Sequence, residues 1–358
     1  MIKSLISILI PTYNEELFIK KCLNSVLSFR IPDGKSIEIF VIDGQSNDST
    51  LEIVSKYAKE YSNIYVINNP KKIQAVALNM GIKACNGSWV LRLDAHSEYP
   101  VDYLSRCWTS KQNTGADNVG GLFVTKPGAP TYWAKLVQAI TTHPFGVGNA
   151  GFRIGMQEGY ADTVPYGFYH KSIFQKLGYL DERLVRAQDY EFNRRIIWSG
   201  GKIWRDPNIL VNYFNQPTLR KFLAKQFIYE APYNVYMWYL APYAFAPRHA
   251  ITGFFAIGVI GGLLLSPFSD KIRNVFLVIM AIYFILAIIS AFQQSKKYSQ
   301  IQHLAYLPIG FFLYHIVHGL GMLKGAVLLL MRRAPIQKQK EPWLGYGKFR
   351  IKVGRNLK

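Results

Sequence analysis

Asp94 and His96 stand two residues apart where an apolar run, Trp89-Val90-Leu91, passes through Arg92 and Leu93 and ends. A carboxylate and an imidazole in that spacing allow two chemistries. They form a polar turn where a buried strand surfaces, or a ligand pair for a metal ion carrying something anionic. Two other polar clusters follow apolar runs in the same way. "PTYNEE" (Pro11 to Glu16) follows Leu5 to Ile10, and "DGQSNDST" (Asp43 to Thr50) follows Ile37 to Ile42. Within the second cluster, Asp48 or Ser49 can also cap a following helix. A fourth cluster, "AQDYEFNRRI" (Ala187 to Ile196), sets Asp189 and Glu191 ahead of Arg194 and Arg195 in one helical pattern.

The elements that position these groups follow from hydrophobic periodicity. Leu5 to Ile10, Ile37 to Ile42, Ile64 to Ile67 and Trp89 to Leu93 read as strands. Glu15 to Phe29, Leu51 to Tyr61 and Ala75 to Ala84 carry apolar residues at helical spacing. Strands alternating with helices predict an α/β domain, an open, mainly parallel sheet with helices on both faces. Such sheets bind ligands outside the carboxyl ends of their strands. Thr12 to Glu16, Asp43 to Asp48 and Asp94 to His96 then converge on one edge, as a nucleotide-sized site requires.

The 358 residues carry 42 Lys and Arg against 22 Asp and Glu, a formal charge of +20. That balance calls for an anionic partner: nucleic acid, a negatively charged lipid surface or phosphorylated substrates. Cys22, Cys85 and Cys107 fit neither a zinc set nor a disulfide framework and read as free thiols. The short N-terminal apolar run lacks a cleavage site behind it and reads as the first strand, not a signal peptide.

Composition divides the chain into residues 1–220, a globular domain expected in the cytosol, and a membrane-associated remainder. Residues 221–250 are dense in Tyr, Trp, Phe and Pro, suiting the membrane interface. Residues 251–331 hold two to three hydrophobic segments. Ile251 to Phe268 and Val275 to Phe292 are nearly charge-free and each reaches roughly 25–27 Å as a helix, about the hydrocarbon thickness. Leu304 to Met331 contains Pro308, His315, His318, Lys324 and several glycines, which predict a re-entrant or interfacial segment packed on protein. Residues 332–358 form a basic tail facing cytoplasmic lipid.

"PTYNEE", "IDGQSNDST", "LDAH" and "AQDYEFNRRI", in that order, resemble the family 2 inverting glycosyltransferases with the GT-A nucleotide-sugar fold. The likeness covers about residues 4 to 215. "RLDAHSEYP", "GVGNAGFRIG", "ADTVPYGFYHKSIFQKLGYLDE", "QDYEFNRR" and "HGLGMLKG" bring it closer to the membrane-associated transferases of succinoglycan and related exopolysaccharide synthesis. The resemblance implies a UDP-sugar donor, its base or ribose held by Asp43, with Pro11, Thr12, Tyr13 and Glu15 around the same base. Asp94 lies near the ribose and the metal. His96, where the family has the second Asp of its motif, is a direct metal ligand, and the metal is Mn²⁺ or Mg²⁺. Lys72 faces the phosphates or is solvated, and Arg195 reaches the diphosphate or pairs with an acid. Asp189 occupies the family's catalytic-base position, with Gln188 in place of the preceding acid. "QPTLRKFLAKQFIYE" lacks the Gln-any-any-Arg-Trp pattern of processive relatives, implying one sugar per encounter.

The expected function is therefore transfer of a sugar, with inversion, from a UDP-sugar to a lipid-linked saccharide in exopolysaccharide or cell-surface polysaccharide synthesis. The partners are a polyprenyl-linked or saccharide acceptor and membrane lipids, at the inner (plasma) membrane, multi-pass, with the catalytic domain cytoplasmic. One alternative keeps the fold and takes a simple polyprenyl phosphate as acceptor. A basic nucleic-acid-binding protein is disfavoured, because the chain shows no nucleic-acid motif and its charge clusters near the membrane. Two or three spans with few polar groups are too little for a transporter.

Overall fold

A computed structural model describes residues 4–337. Of the expected basic tail, residues 338–358 lie outside the described part. The chain divides into two compact units, residues 4–124 with 155–213, and residues 125–154 with 214–337. Residues 125–154, placed by the sequence reading in the N-terminal domain, group with the C-terminal helices.

The first unit is built on a mixed sheet. Its strands are β1 (Ser4–Thr12), β2 (Lys35–Asp43), β3 (Ile64–Asn68), β4 (Trp89–Arg92), β5 (Ser97–Glu98), β6 (Asn118–Lys126), β7 (Gly159–Tyr160), β8 (Phe168–His170) and β9 (Ile203–Phe214). The sheet order is β3-β2-β1-β4-β8-β6-β9-β5, with β7 on β9. β3, β2, β1 and β4 are parallel, as periodicity predicts. Beyond β4 the sheet continues antiparallel, through β8 and β6 and through the pairing of β5 and β7 with β9. These later strands are short or carry polar residues, so they give no clean period-2 signal.

Helices α1 (Ile19–Leu27), α2 (Thr50–Glu60), α3 (Gln74–Ala84), α4 (Tyr103–Thr114), α5 (Ser172–Leu177) and α6 (Gln188–Trp198) accompany the sheet. β1 is apolar on both faces because both are covered. Ile6, Ile8 and Ile10 join the core containing Ile19, Cys22, Leu23 and Val26 of α1. Leu9 points the other way, against α3 at Gly81. Each such aliphatic side chain contributes roughly 1.5–3 kcal/mol on full burial. The parallel register then aligns the strand ends, with Thr12 opposite Asp43 and Asp43 opposite Asn68. Arg92 stands opposite Leu9, so the chain leaves the sheet close to the same row.

The second unit is helical. Three of its helices are long and apolar enough to cross a membrane, Pro247–Phe268, Asp270–Tyr298 and His303–Gln337. The first two expose rows of Ile, Leu and Phe, including Ile251, Phe254, Leu263, Ile282 and Ile289. In the third, 39% of the most apolar stretch is buried against protein, against 17% in each of the others. It runs as one unbroken α-helix over His303–Leu330, not as a re-entrant loop, with Pro308 inside it. Three of its polar residues meet side chains from neighbouring helices. His318 Nδ1 meets Thr252 Oγ1 at 2.7 Å, His315 Nδ1 meets Tyr283 OH at 2.8 Å, and Lys324 Nζ lies 4.7 Å from the Phe227 ring centre. Gly319 permits this packing, since a Cβ there would sit 2.2 Å from the Thr252 carbonyl oxygen.

Candidate active site

The loops after β1 and β2 are locked together. Asn14 N–H donates to Ser46 Oγ at 2.9 Å, and Asn47 N–H to Asn14 Oδ1 at 3.0 Å. Ser49 N–H donates to Glu16 Oε2 at 3.0 Å, and Glu16 N–H to Asp48 Oδ2 at 3.2 Å. Asp48 Oδ1 also accepts the Thr50 N–H at 3.0 Å, so Asp48 holds the turn into α2. Burial works against its charge, but these hydrogen bonds outweigh it and keep its pKa below the ordinary carboxylate value.

Asp43, at the end of β2, is 2% exposed and accepts from Ser46 through both Oγ (2.6 Å) and N–H (3.0 Å). Pro11 and Thr12 are buried beside it, and Thr12 Oγ1 donates to the Ile10 carbonyl. Tyr13 is exposed, and Lys72 Nζ lies 5.4 Å from its ring centre, on the surface. A Cβ on Gly44 would come within 3.3 Å of the Thr12 carbonyl and the Tyr13 ring, so the second loop passes close under the first. Asn14, Gln45 and Lys72 all adopt left-handed backbone angles (φ 54°, 57° and 56°). For the latter two that conformation is strained, and such strain clusters at binding loops.

Asp94 and His96 follow β4. His96 Nδ1 pairs with Glu15 Oε1 at 2.9 Å, joining this turn to the first loop. Burial weighs against charge on the ring. The Glu15 hydrogen bond and the charges of Asp94 and Glu15 outweigh it and push the pKa up to about 9. Asp94 Oδ1 accepts from Arg92 Nη2 and from Gln74 Nε2, each at 3.0 Å. Tyr99 fixes the turn by accepting the Asp94 N–H at 2.8 Å. Among the described residues no three or more His, Cys, Asp or Glu gather as a metal cage. What this turn offers fits a shared ion instead. His96 has one nitrogen oriented by a carboxylate, the arrangement that holds a ligating imidazole once a metal displaces the proton on its other nitrogen, and Asp94 keeps its Oδ2 outside these hydrogen bonds. Mg²⁺-type cations usually sit on nucleotides through one or two carboxylates, substrate phosphates and waters, and Asp94 is the carboxylate this turn offers.

Asp189 stands in the first turn of α6, its Oδ2 3.3 Å from Arg92 Nη1 and its side chain 37% exposed. The structure thus brings Asp189 and Asp94 onto one guanidinium. Burial opposes the charge of Arg92, but Asp94 and Asp189 more than compensate and raise its pKa. Glu191, on another face of α6, is fully buried and pairs with Arg195, Arg195 Nε donating to Glu191 Oε1 at 2.9 Å. Arg195 also donates to the carbonyls of Leu177 and Tyr179. Its side chain has no exposed surface, so of the two expected roles, diphosphate contact and acid pairing, it takes the second.

Arg92 and Gln74 escaped the sequence reading as site residues. Arg92 did leave a signal: a charged side chain in a strand that is otherwise buried must be paired. Gln74, at the start of α3, left none. The three cysteines are free and buried, and burial raises the thiol pKa of Cys22 and Cys107.

Residues 7–178 match the family described as "Glycosyl transferase family 2". A dolichyl N-acetyl-alpha-D-glucosaminyl phosphate 3-beta-D-2,3-diacetamido-2,3-dideoxy-beta-D-glucuronosyltransferase of Methanococcus voltae is 29% identical over 334 residues, 90% of this chain and 97% of that one. Succinoglycan biosynthesis protein ExoA of Rhizobium meliloti is 27% identical over 214 residues, 59% of this chain and 64% of that protein. In structure, the chain resembles a mannosyltransferase from Pyrobaculum calidifontis solved in complex with GDP-Man and Mn²⁺, at a TM-score of 0.56 and 17% identity, over 91% of this chain and 86% of that one. The parallel strands, the loops at their carboxyl ends and this likeness agree: the fold is GT-A, and residues 7–178 match the family 2 glycosyl transferases.

Proposed function

We propose that this glycosyltransferase moves a sugar, with inversion, from a UDP-sugar to a lipid-linked saccharide during synthesis of a cell-surface or exported polysaccharide. The observation that carries the reading is the sharing of Arg92 by Asp94 and Asp189, beside the His96–Glu15 link between the loops after β4 and β1. Relatives that act on a lipid-linked sugar and in succinoglycan synthesis support the acceptor class. The three apolar helices support catalysis at a membrane, here the inner membrane with the donor site on the cytoplasmic side.

Asp43 and the Thr12–Glu15 loop hold the nucleoside, with Pro11 shaping the loop and Lys72 beside Tyr13 near the phosphates. Asp94 and His96 would hold a divalent cation, Mn²⁺ or Mg²⁺, which when bound supplies Lewis-acid stabilisation of the leaving diphosphate. Asp189 takes the proton of the acceptor hydroxyl. The hydroxyl oxygen bonds to the anomeric carbon from the face opposite the diphosphate, the bond from that carbon to the diphosphate oxygen breaks, and UDP leaves. One displacement inverts the carbon and needs no enzyme-bound sugar.

Membranes carrying the full chain, screened with UDP-sugars and GDP-mannose for nucleotide release in the presence of Mn²⁺, test the donor. Release of UDP and label transfer into an extractable lipid-linked saccharide are expected. Release of GDP alone would overturn the donor assignment, and label on a bare polyprenyl phosphate would overturn the acceptor assignment.

A further inference from the structure

Five side chains and one peptide link close a ring at the candidate active site. Asp94 Oδ1 accepts from Arg92 Nη2, and Arg92 Nη1 reaches Asp189 Oδ2. Asp94 Oδ1 also accepts from Gln74 Nε2, and Gln74 Oε1 accepts from Gln188 Nε2 at 2.7 Å. Gln188 and Asp189 are neighbours in the chain, so the two arms meet at the start of α6. Arg92 and Asp94 side chains are 8% and 14% exposed, and Gln188 is 2% exposed. Behind Arg92 and Asp189 lies a cavity of only about 20 Å³, lined by Leu9, Leu78, Val90 and Phe174 among others.

The direction of the amide arm is forced. An ionised Asp94 only accepts, so Gln74 must turn its amide nitrogen toward it. Gln74 then offers a carbonyl oxygen, which only a donor can meet. Gln188 supplies that donor, and its own Oε1 is left buried with no hydrogen bond. An ionised acid at position 188 could not donate, and the arm would break. The replacement of the family's first acid by Gln188 therefore belongs to the same arrangement as Gln74.

We propose that Arg92, Gln74 and Gln188 are positioning residues that fix the donor-side carboxylate Asp94 relative to the base Asp189. Arg92 is suited to this because its planar fork serves two carboxylates at once, which the single ammonium of a lysine does not reproduce. The ring sets how far the acceptor hydroxyl stands from the anomeric carbon, while each half of the site keeps its own grip on its own ligand. This rests on the reading of Asp189 as the base.

The test uses the full chain in detergent with the UDP-sugar selected above, UDP binding measured in parallel with transfer. Arg92→Lys and Gln188→Glu are expected to lower kcat at least about tenfold, since misplacement of reacting groups by about 1 Å costs up to about 10²-fold. UDP affinity should stay within about threefold, because uniform binding is untouched. In Arg92→Ala, added methylguanidine should restore part of the rate, which a merely structural role does not allow. The proposal is overturned if Arg92→Lys and Gln188→Glu turn over at the parent rate, or if rate and UDP binding fall together with the folded fraction and methylguanidine restores neither. An active Asp189→Asn would instead overturn the base assignment, a result distinct from both.

Discussion

Asp189→Asn separates basicity from shape. The amide is isosteric and can still accept from Arg92 through its oxygen, but it then presents an NH2 group toward the Tyr190 N–H that now donates to Asp189 Oδ1 at 2.8 Å. One short local hydrogen bond to an ionised carboxylate is lost, worth about 1.5–3 kcal/mol. The side chain is 37% exposed, so that cost sits at the lower end. Loss of a general base is larger, about 10²–10⁴ in rate, which is about 2.7–5.4 kcal/mol of barrier. The variant should therefore fold, bind UDP near normally, and transfer at least about 100-fold more slowly. Glu191→Gln is the informative contrast. It removes the carboxylate from the fully buried Arg195, and breaking such a pair costs about 3–5 kcal/mol. That is a large share of a typical folding free energy of about 5–15 kcal/mol. Its defect should appear as lost folded protein, with near-normal turnover per UDP-binding molecule. Transfer of radiolabelled sugar, normalised to UDP-binding sites, distinguishes the two. A folded, UDP-binding Glu191→Gln that is inactive, beside an active Asp189→Asn, would refute the assignment and move the base to Glu191.

Excess EDTA should abolish transfer, with Mn²⁺ restoring it at least as well as Mg²⁺; full activity in chelator would remove the metal role of Asp94 and His96. Glu15→Gln should weaken Mn²⁺ activation by about 10–100-fold, the usual cost of losing a carboxylate that orients a ligating imidazole, read as a shift in the Mn²⁺ titration. Gly319→Ala should lower the thermal midpoint of the detergent-solubilised chain, because its methyl would fall 2.2 Å from the Thr252 carbonyl oxygen. Gly261→Ala, which meets nothing within 4 Å, is the matched control and should not.

Which parts of this molecule are legible from its sequence follows from how local their physics is. β1 to β4 announce themselves as apolar runs and α1 to α3 by apolar residues at helical spacing, and β2 ends on Asp43 while β4 leads into Asp94. The antiparallel half is different: β5 and β7 are two residues each, and nothing local distinguishes two residues of strand from a turn. The third apolar helix misleads for a related reason. Pro308 and the glycines of "HGLGMLKG" read as breaks along one chain, yet the helix runs through Pro308 and the glycines make room for neighbours. Gly319 is small because Thr252 approaches it, and His315 and His318 are polar because Tyr283 and Thr252 meet them.

The same distinction sorts the site residues. Asp43, Asp94 and His96 lie on loops whose position follows from strand ends, so sequence order suffices to gather them. Arg195 could not be resolved that way. On a helix wheel it stands one turn from Glu191 and within reach of a ligand alike, and only the burial of both side chains decides for the pair. Arg92 carries the clearest unused information. A guanidinium in the middle of "WVLRL" is costly to bury unless at least one carboxylate answers it. Asp94, two residues on, supplies one partner, and the alternation of side chains points both toward the same face. That leaves a second fork of donors still to be matched from elsewhere in the chain. The acid that meets it is Asp189, reached across the sheet at the start of α6. A buried arginine thus predicts a convergence of carboxylates, and under the proposed function that convergence joins the donor-side Asp94 to the base Asp189.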